Sequence, residues 1–455
     1  MKFKTTIIFF VIFLVILAFV YFFEIKGKSE EGEEEKLIAL SSGDVRKITF
    51  KKEDETFTFQ KGEKDDWLIT EPLEAKADKY ELDQLAGNFS DLKIERVVEE
   101  EPDELEKYNI PQKEISLWFK DREKPVKILI GMENPLDNTF FAKRDDETRV
   151  VLIPSNIKIL MEKKLFDFRQ KDIFRFETDE VKSIKLRAKE TSWEASKKEE
   201  EWFLKKPVDA LAGENKIDAV LSSLSGMKAK EFVSEEKKKE EIKEHGLSRP
   251  EYEIILAMPL SNQEVTFLLH KEEDKLYATT SLSSKIVIVE EAVLSDLEKK
   301  VEELREKGVA DFYSWEANRL YLKKGEIELS AAKDEDDIWR FESPVKDETD
   351  QDKIQAFIRK IESLEAEEFI DPPLNLKDYG LDSPMGEVKI WVKDDEDKVK
   401  EITVLFGTED KEAKKIVVRN TRFDYLFKID SAVLEEFPKA IKDWKAEKKE
   451  EKEKK

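Results

Sequence analysis

The chain has 455 residues, with 81 Lys and Arg against 105 Asp and Glu, a formal net charge of −24. That acidic excess opposes nucleic acid and anionic lipid surfaces as partners, since both repel a negative protein. There is no cysteine, so disulfides and thiolate metal sites are excluded, and long periodic apolar patterns set the chain apart from disordered polyelectrolytes.

In chain order, residues 1–4 are a short tail carrying Lys2 and Lys4, and residues 5–23, TTIIFFVIFLVILAFVYFF, are an unbroken apolar run. A helix of this length rises roughly 28 Å, close to the hydrocarbon thickness of a bilayer. The run ends in Val20, Tyr21, Phe22 and Phe23, without the small residues that mark a cleavage site. The expectation is an uncleaved transmembrane signal anchor. Lys2 and Lys4 before it nearly balance Lys26, Lys28 and Lys36 after it. The short basic N-terminus matches that of an exported protein, so the C-terminal mass is expected outside the cytoplasm. Residues 24–43 follow as a charged tether.

Beyond the tether, one pattern occurs three times. Trp67, Trp202 and Trp339 stand 135 and 137 residues apart, and Pro72, Pro207 and Pro344 follow each by five. Apolar residues then recur in register: Leu82, Leu85, Phe89 and Leu92; Ile217, Val220, Leu224 and Met227; Ile354, Phe357, Ile361 and Leu364. Steps of three, four and three mark one face of a helix. Asp78, Asn215 and Asp350 stand just upstream as expected N-caps. Before each Trp, alternating residues such as Ile48 and Phe50 with Phe57 and Phe59 predict a hairpin.

After each helix come Val98, Val233 or Ile370, a turn around Tyr108, His245 or Tyr379, and two pairs of strand-like runs. Each copy closes on an amphipathic segment: 155–168, 291–304 or 431–444. The fold class expected is therefore α+β. A single N-terminal transmembrane helix is followed by three tandem repeats, each an antiparallel sheet packed with two helices. The repeats take residues 44–176, 177–311 and 312–444, and 445–455 form a charged tail.

Chemistry is harder to find. The Trp-to-Pro motif reads as a strand closing onto a helix and ending at proline. His245 and His270 are the only histidines, and no metal-binding spacing accompanies them, so they are expected to be surface residues with unrelated jobs. The acidic clusters Asp334–Asp337, Asp347–Asp352 and Asp394–Asp397 lack the ligand pattern of a calcium loop and are expected to be solvated hairpin tips. No nucleophile elbow, phosphate loop or zinc-protease motif is present, and glycine totals only 14. No catalytic, cofactor-binding or metal-binding residue is assigned.

The anchor, the W-x-x-x-x-P element with its capped helix, and the Y-G-L-x-x-P turn with its glycine-ended strand pair resemble the domain-of-unknown-function family 4340 (DUF 4340). The first copy departs from the pattern at Asn109 and Pro111, the second at His245 and His270. The resemblance implies a bacterial envelope protein of the inner membrane, encoded near ABC-type transport and gliding-motility-like components, with no residue role to carry over. The expected function is a non-catalytic, membrane-anchored repeat protein presenting binding or scaffold surfaces outside the cytoplasm. Its partners would be the membrane, through residues 5–23, and an ABC-type transporter or another envelope protein, without nucleic acid or cofactor. The alternatives are an envelope hydrolase acting on glycan or peptide through a carboxylate pair, and a structural spacer.

Overall fold

The computed structural model describes residues 35–259, 262–393 and 398–446. Contacts divide the chain into two compact units, the first ending at Lys171 and the second beginning at Asp172.

The first unit is built on one nine-stranded antiparallel sheet. Its strands are β1 (Val45–Lys52), β2 (Glu55–Lys61), β3 (Trp67–Glu71), β4 (Ala75–Lys76), β5 (Arg96–Glu99), β6 (Lys113–Phe119), β7 (Val126–Glu133), β8 (Phe140–Arg144) and β9 (Val150–Ile153). They lie in the order β4-β3-β2-β1-β6-β7-β8-β9-β5. In the first hairpin Ile48 faces Phe59 and Phe50 faces Phe57, so the alternating residues fall together on the core face. The helix Lys79–Ser90 connects β4 at one edge to β5 at the other and must cross that face. It buries Leu82, Leu85 and Phe89 there. The Asp78 side chain accepts the backbone N–H groups of Tyr80 and Glu81, a cap of about 1 kcal/mol.

The second unit holds two sheets. The nine strands between Ser183 and Val289 repeat the order of the first sheet, crossed by the helix Glu214–Ser225. The third sheet has eight strands between Ala317 and Asp430, crossed by the helix Gln351–Glu362. It lacks the two-residue edge strand that Ala75–Lys76 and Ala210–Leu211 form in the others. Each strand that carries a repeated Trp stops one residue short of its proline, at Glu71, Lys206 or Ser343, as expected of a residue with no N–H for the ladder.

Three expectations change, and one more lies outside the described residues. The α+β assignment with two helices per sheet is wrong: each sheet is crossed by one twelve-residue helix, and the fold is mostly antiparallel β. The closing segments are apolar at helical spacing, yet they break into short turns. In the first repeat these are Ile157–Glu162 and Leu165–Phe168, in the second Leu294–Leu297 and Val301–Leu304, in the third Ser431–Glu436 and Ile441–Trp444. Pro438 sits between the last two and cannot continue a helix. In the first two repeats the break falls at Lys163 and Lys164 or at Lys299 and Lys300. Helical spacing therefore fixed which residues face the core but not a continuous helix. Second, the anchor assigned to 5–23 lies outside the described residues, among which no helix is long and apolar enough to cross a membrane. Third, Asn215 is not a cap: the helix begins at Glu214 with Gly213 at the cap position. Fourth, the end of the tether is docked. Leu37 and Ile38 are buried in the first core, and the backbone N–H of Leu37 donates to Leu92 at 2.7 Å.

Candidate functional site

The Y/H-G-L-x-x-P turn packs against the strand pair that follows it, and its three copies are built differently. In the first repeat Asn109 takes the left-handed conformation (φ 56°), and Gly131 lets the Tyr108 carbonyl come so close that a Cβ would lie 2.2 Å from it. The third repeat matches: Gly380 is left-handed (φ 67°), and a Cβ on Gly407 would lie 2.2 Å from the Tyr379 carbonyl. In the second repeat His270 replaces the strand glycine. Its ring occupies the space that a Cβ on Gly246 (φ 70°) would need. A glycine on the turn thus replaces the glycine on the strand as the point of close approach.

The two histidines are therefore not unrelated. His245 stacks on Tyr277 with ring centroids 4.6 Å apart, and Tyr277 is the cross-strand partner of His270. In the first repeat Tyr108 packs on Phe141 at the corresponding place, with centroids 4.9 Å apart and the rings tilted by 36°. Both histidines are half-buried around the Gly246 turn, which sits over a small cluster of Leu247, Tyr277, Ile286 and Ile288. The spacing of 25 residues between them carries no sign of this.

The acidic clusters separate. Asp334 closes a hairpin turn, accepting the backbone N–H groups of Asp336 and Ile338 and the Arg340 guanidinium. The cluster at 347–352 leads into a helix, where Asp350 caps the amide of Lys353. Residues 394–397 lie outside the described residues. No group of three His, Cys, Asp or Glu among the described residues is placed to hold a metal ion.

What sequence reasoning missed lies inside the second unit, where its two repeats meet. The connecting segment bonds to both: the Glu306 N–H donates to the Leu211 carbonyl, and the Val309 N–H to that of Leu364. Ala210 and Leu211 of the second repeat complete the core of the third. Arg305, only 3% exposed, leaves the end of the second repeat and enters the third. Its Nη1 donates to both carboxylate oxygens of Asp371, at 2.9 and 3.0 Å. Its guanidinium carbon lies 3.8 Å from the centre of the Phe369 ring and 4.6 Å from that of Tyr425. The stack continues through Phe423, 5.0 Å from Tyr425 and near-parallel, to Arg422, 5.2 Å beyond. Arg422 is held in turn by Asp311 at 2.8 Å and by Glu201 of the second repeat. Cations over aromatic faces gain most where water is excluded, as it is around Arg305. Burial pushes the Tyr425 hydroxyl up to about 12, against a backbone hydrogen bond at Leu211 and the Arg305 and Arg422 charges, which pull it down.

Above this stack lies a cleft of about 400 Å³, walled by Phe203, Val208, Phe423 and Tyr425, with Asp371 and Asp424 among its lining residues. That volume is within the range of small-ligand sites. The cleft can hold a side chain or small molecule against aromatic faces. Its arginines are already committed to carboxylates. The nearest sequence signals, Arg305 and the RFDY at 422–425, lie more than 100 residues apart, and nothing in their composition joins them.

No curated protein matches the chain. Among solved structures it is similar to a DNA polymerase sliding clamp from Pseudomonas aeruginosa with ligand, at 8% identity over 86% of this chain and 93% of that one, with a TM-score of 0.16. It is similar at the same identity to the DNA polymerase III subunit beta of that organism, over 86% and 94%, with a TM-score of 0.15. Scores this low carry no argument. A family model described as a domain of unknown function matches three times, over residues 67–250, 202–374 and 339–451, each match starting at a repeated Trp and the first two running into the next repeat. The chain belongs to this family of unknown function, DUF4340.

Proposed function

We propose that this chain is a non-catalytic, membrane-tethered repeat protein that presents binding surface outside the cytoplasm of a bacterium, as an accessory to an ABC-type or similar membrane complex. The apolar run at 5–23 supplies the tether. The observation that carries the reading is the cleft where two repeats meet: lined by both, over charged groups already paired with one another.

The hydrolase alternative sets a different requirement. A glycosidase acid needs a carboxyl held above its usual range. The carboxyls clearly shifted among the described residues, such as Asp83, Asp296 and Asp350, are held below that range, against the upward push of desolvation, by their own hydrogen-bond partners. In-cell crosslinking followed by mild detergent extraction tests the proposal. Recovery of a stable partner complex is expected; recovery of the chain alone, while other envelope complexes stay intact, would overturn it. A C-terminal reporter active only outside the cytoplasm checks the placement.

A further inference from the structure

The junction cleft also indicates what it holds, an inference that rests on the binding role proposed above. Its walls are apolar and aromatic, while its charge is not balanced. Arg305 is neutralised by Asp371, Arg422 by Asp311 and Glu201, and Asp209 on the rim by Lys205 at 3.1 Å. Asp424 lines the same cleft, is exposed, and has no hydrogen-bond or ion-pair partner among the described residues. A neutral apolar guest would cover this carboxylate without compensating it, and an anionic guest would be repelled. A cation on an apolar stem meets both demands, its methylenes lying on the Phe423 and Tyr425 rings and its charge against Asp424.

The position favours a polypeptide as the source. The cleft lies beside the end of the outermost strand of the third sheet, Glu368–Ile370. Sheet edges are where an extended chain is accepted. We propose that the cleft receives the lysine or arginine side chain of an extended segment of a partner protein.

The test is calorimetric titration of the full-length chain, in detergent and at low salt, with the peptide acetyl-Gly-Ser-Lys-Ser-Gly-amide. The norleucine and glutamate counterparts and spermidine are titrated alongside. The lysine peptide is expected to bind at least about tenfold more tightly than the norleucine peptide, a gap of the size expected for one charge-assisted contact. Asp424→Asn should erase that difference without changing the Tm, and filling the cleft with Val208→Trp should abolish binding. Equal affinity for norleucine, indifference to Asp424→Asn, or no saturable binding of the lysine peptide would overturn the inference. Tighter binding of spermidine would overturn the polypeptide source. If a crosslinked partner survives Asp424→Asn and Val208→Trp, the binding role stands and this cleft is not its seat. If no partner is recovered even from the unaltered chain, the binding role itself falls.

Discussion

Glu99 and Asp371 each stand 32 residues after their repeat's Trp, and their side chains are about equally exposed, 32% and 35%. They do different work. Glu99 accepts from Lys107 and from the Tyr108 hydroxyl, both nearby in its own repeat, and those bonds hold its carboxyl below the usual range. Asp371 accepts from Arg305, which comes from the preceding repeat and is almost wholly buried. The partner, not the carboxylate, sets the energy. Exposed pairs are weak because water already solvates both ions, whereas a buried cation deprived of its counter-charge has nowhere to go. One structural slot thus serves as a local clasp in one repeat and as a fastening between repeats in another.

The largest effect should come from breaking that fastening. Asp371→Ala is expected to cost the second unit about 3 kcal/mol by leaving Arg305 buried and unpaired, measured by urea unfolding. Glu99→Ala should leave the first unit's midpoint unchanged, and equal midpoint shifts for the two variants would erase the contrast. Next are the glycine contacts. Gly131→Ala and Gly407→Ala push a methyl into a backbone carbonyl and should each cost about 1–3 kcal/mol. The second repeat sharpens the comparison, since there the obstacle to a Cβ on Gly246 is the His270 ring. Gly246→Ala should be destabilising and His270→Gly should recover about 1 kcal/mol of the loss, the strain of positive φ remaining; additive behaviour in the double variant would show that the two residues do not meet.

The smallest effect is one of pH. In the first repeat the Trp67 indole donates to Asp83 at 2.8 Å, whereas in the third the Trp339 indole nitrogen is buried without a partner. Burial pushes the Asp83 carboxyl up, but hydrogen bonds from Lys79 and Trp67 outweigh it and hold the carboxyl below its usual range. A depressed folded value stabilises above the unfolded pKa of about 3.9 and is lost as pH falls through the folded one. Acid titration of the first unit should therefore show a loss of stability beginning near pH 4, and Asp83→Asn should flatten that part of the curve. An unchanged acid limb in the variant would assign the loss to other carboxylates.

The repeat was legible because it depends on local periodicity. Leu82, Leu85 and Phe89 share a helix face wherever the helix packs, and the prolines after each Trp end strands for reasons internal to the residue. The second helix was misjudged because apolar spacing reports which side chains face inward, and short turns satisfy the same spacing as a continuous helix. The histidine turn was missed because the exchange of Gly131 for His270 makes sense only beside Gly246, a neighbour in space. The junction was illegible for the same reason: Arg305 and Asp371 are 66 residues apart and each is ordinary alone. Their meaning depends on burial, which no local pattern records.

The connecting segment after Arg305 has a practical consequence for making fragments. A fragment cut at residue 311, where the sequence places the end of one copy, would separate Ala210 and Leu211 from the core they complete and Arg305 from its counter-ion. Both halves would carry a sticky wound and should aggregate when expressed apart. Excision after Lys171 avoids severing either contact, so the piece to crystallise or graft is the pair, not the single copy.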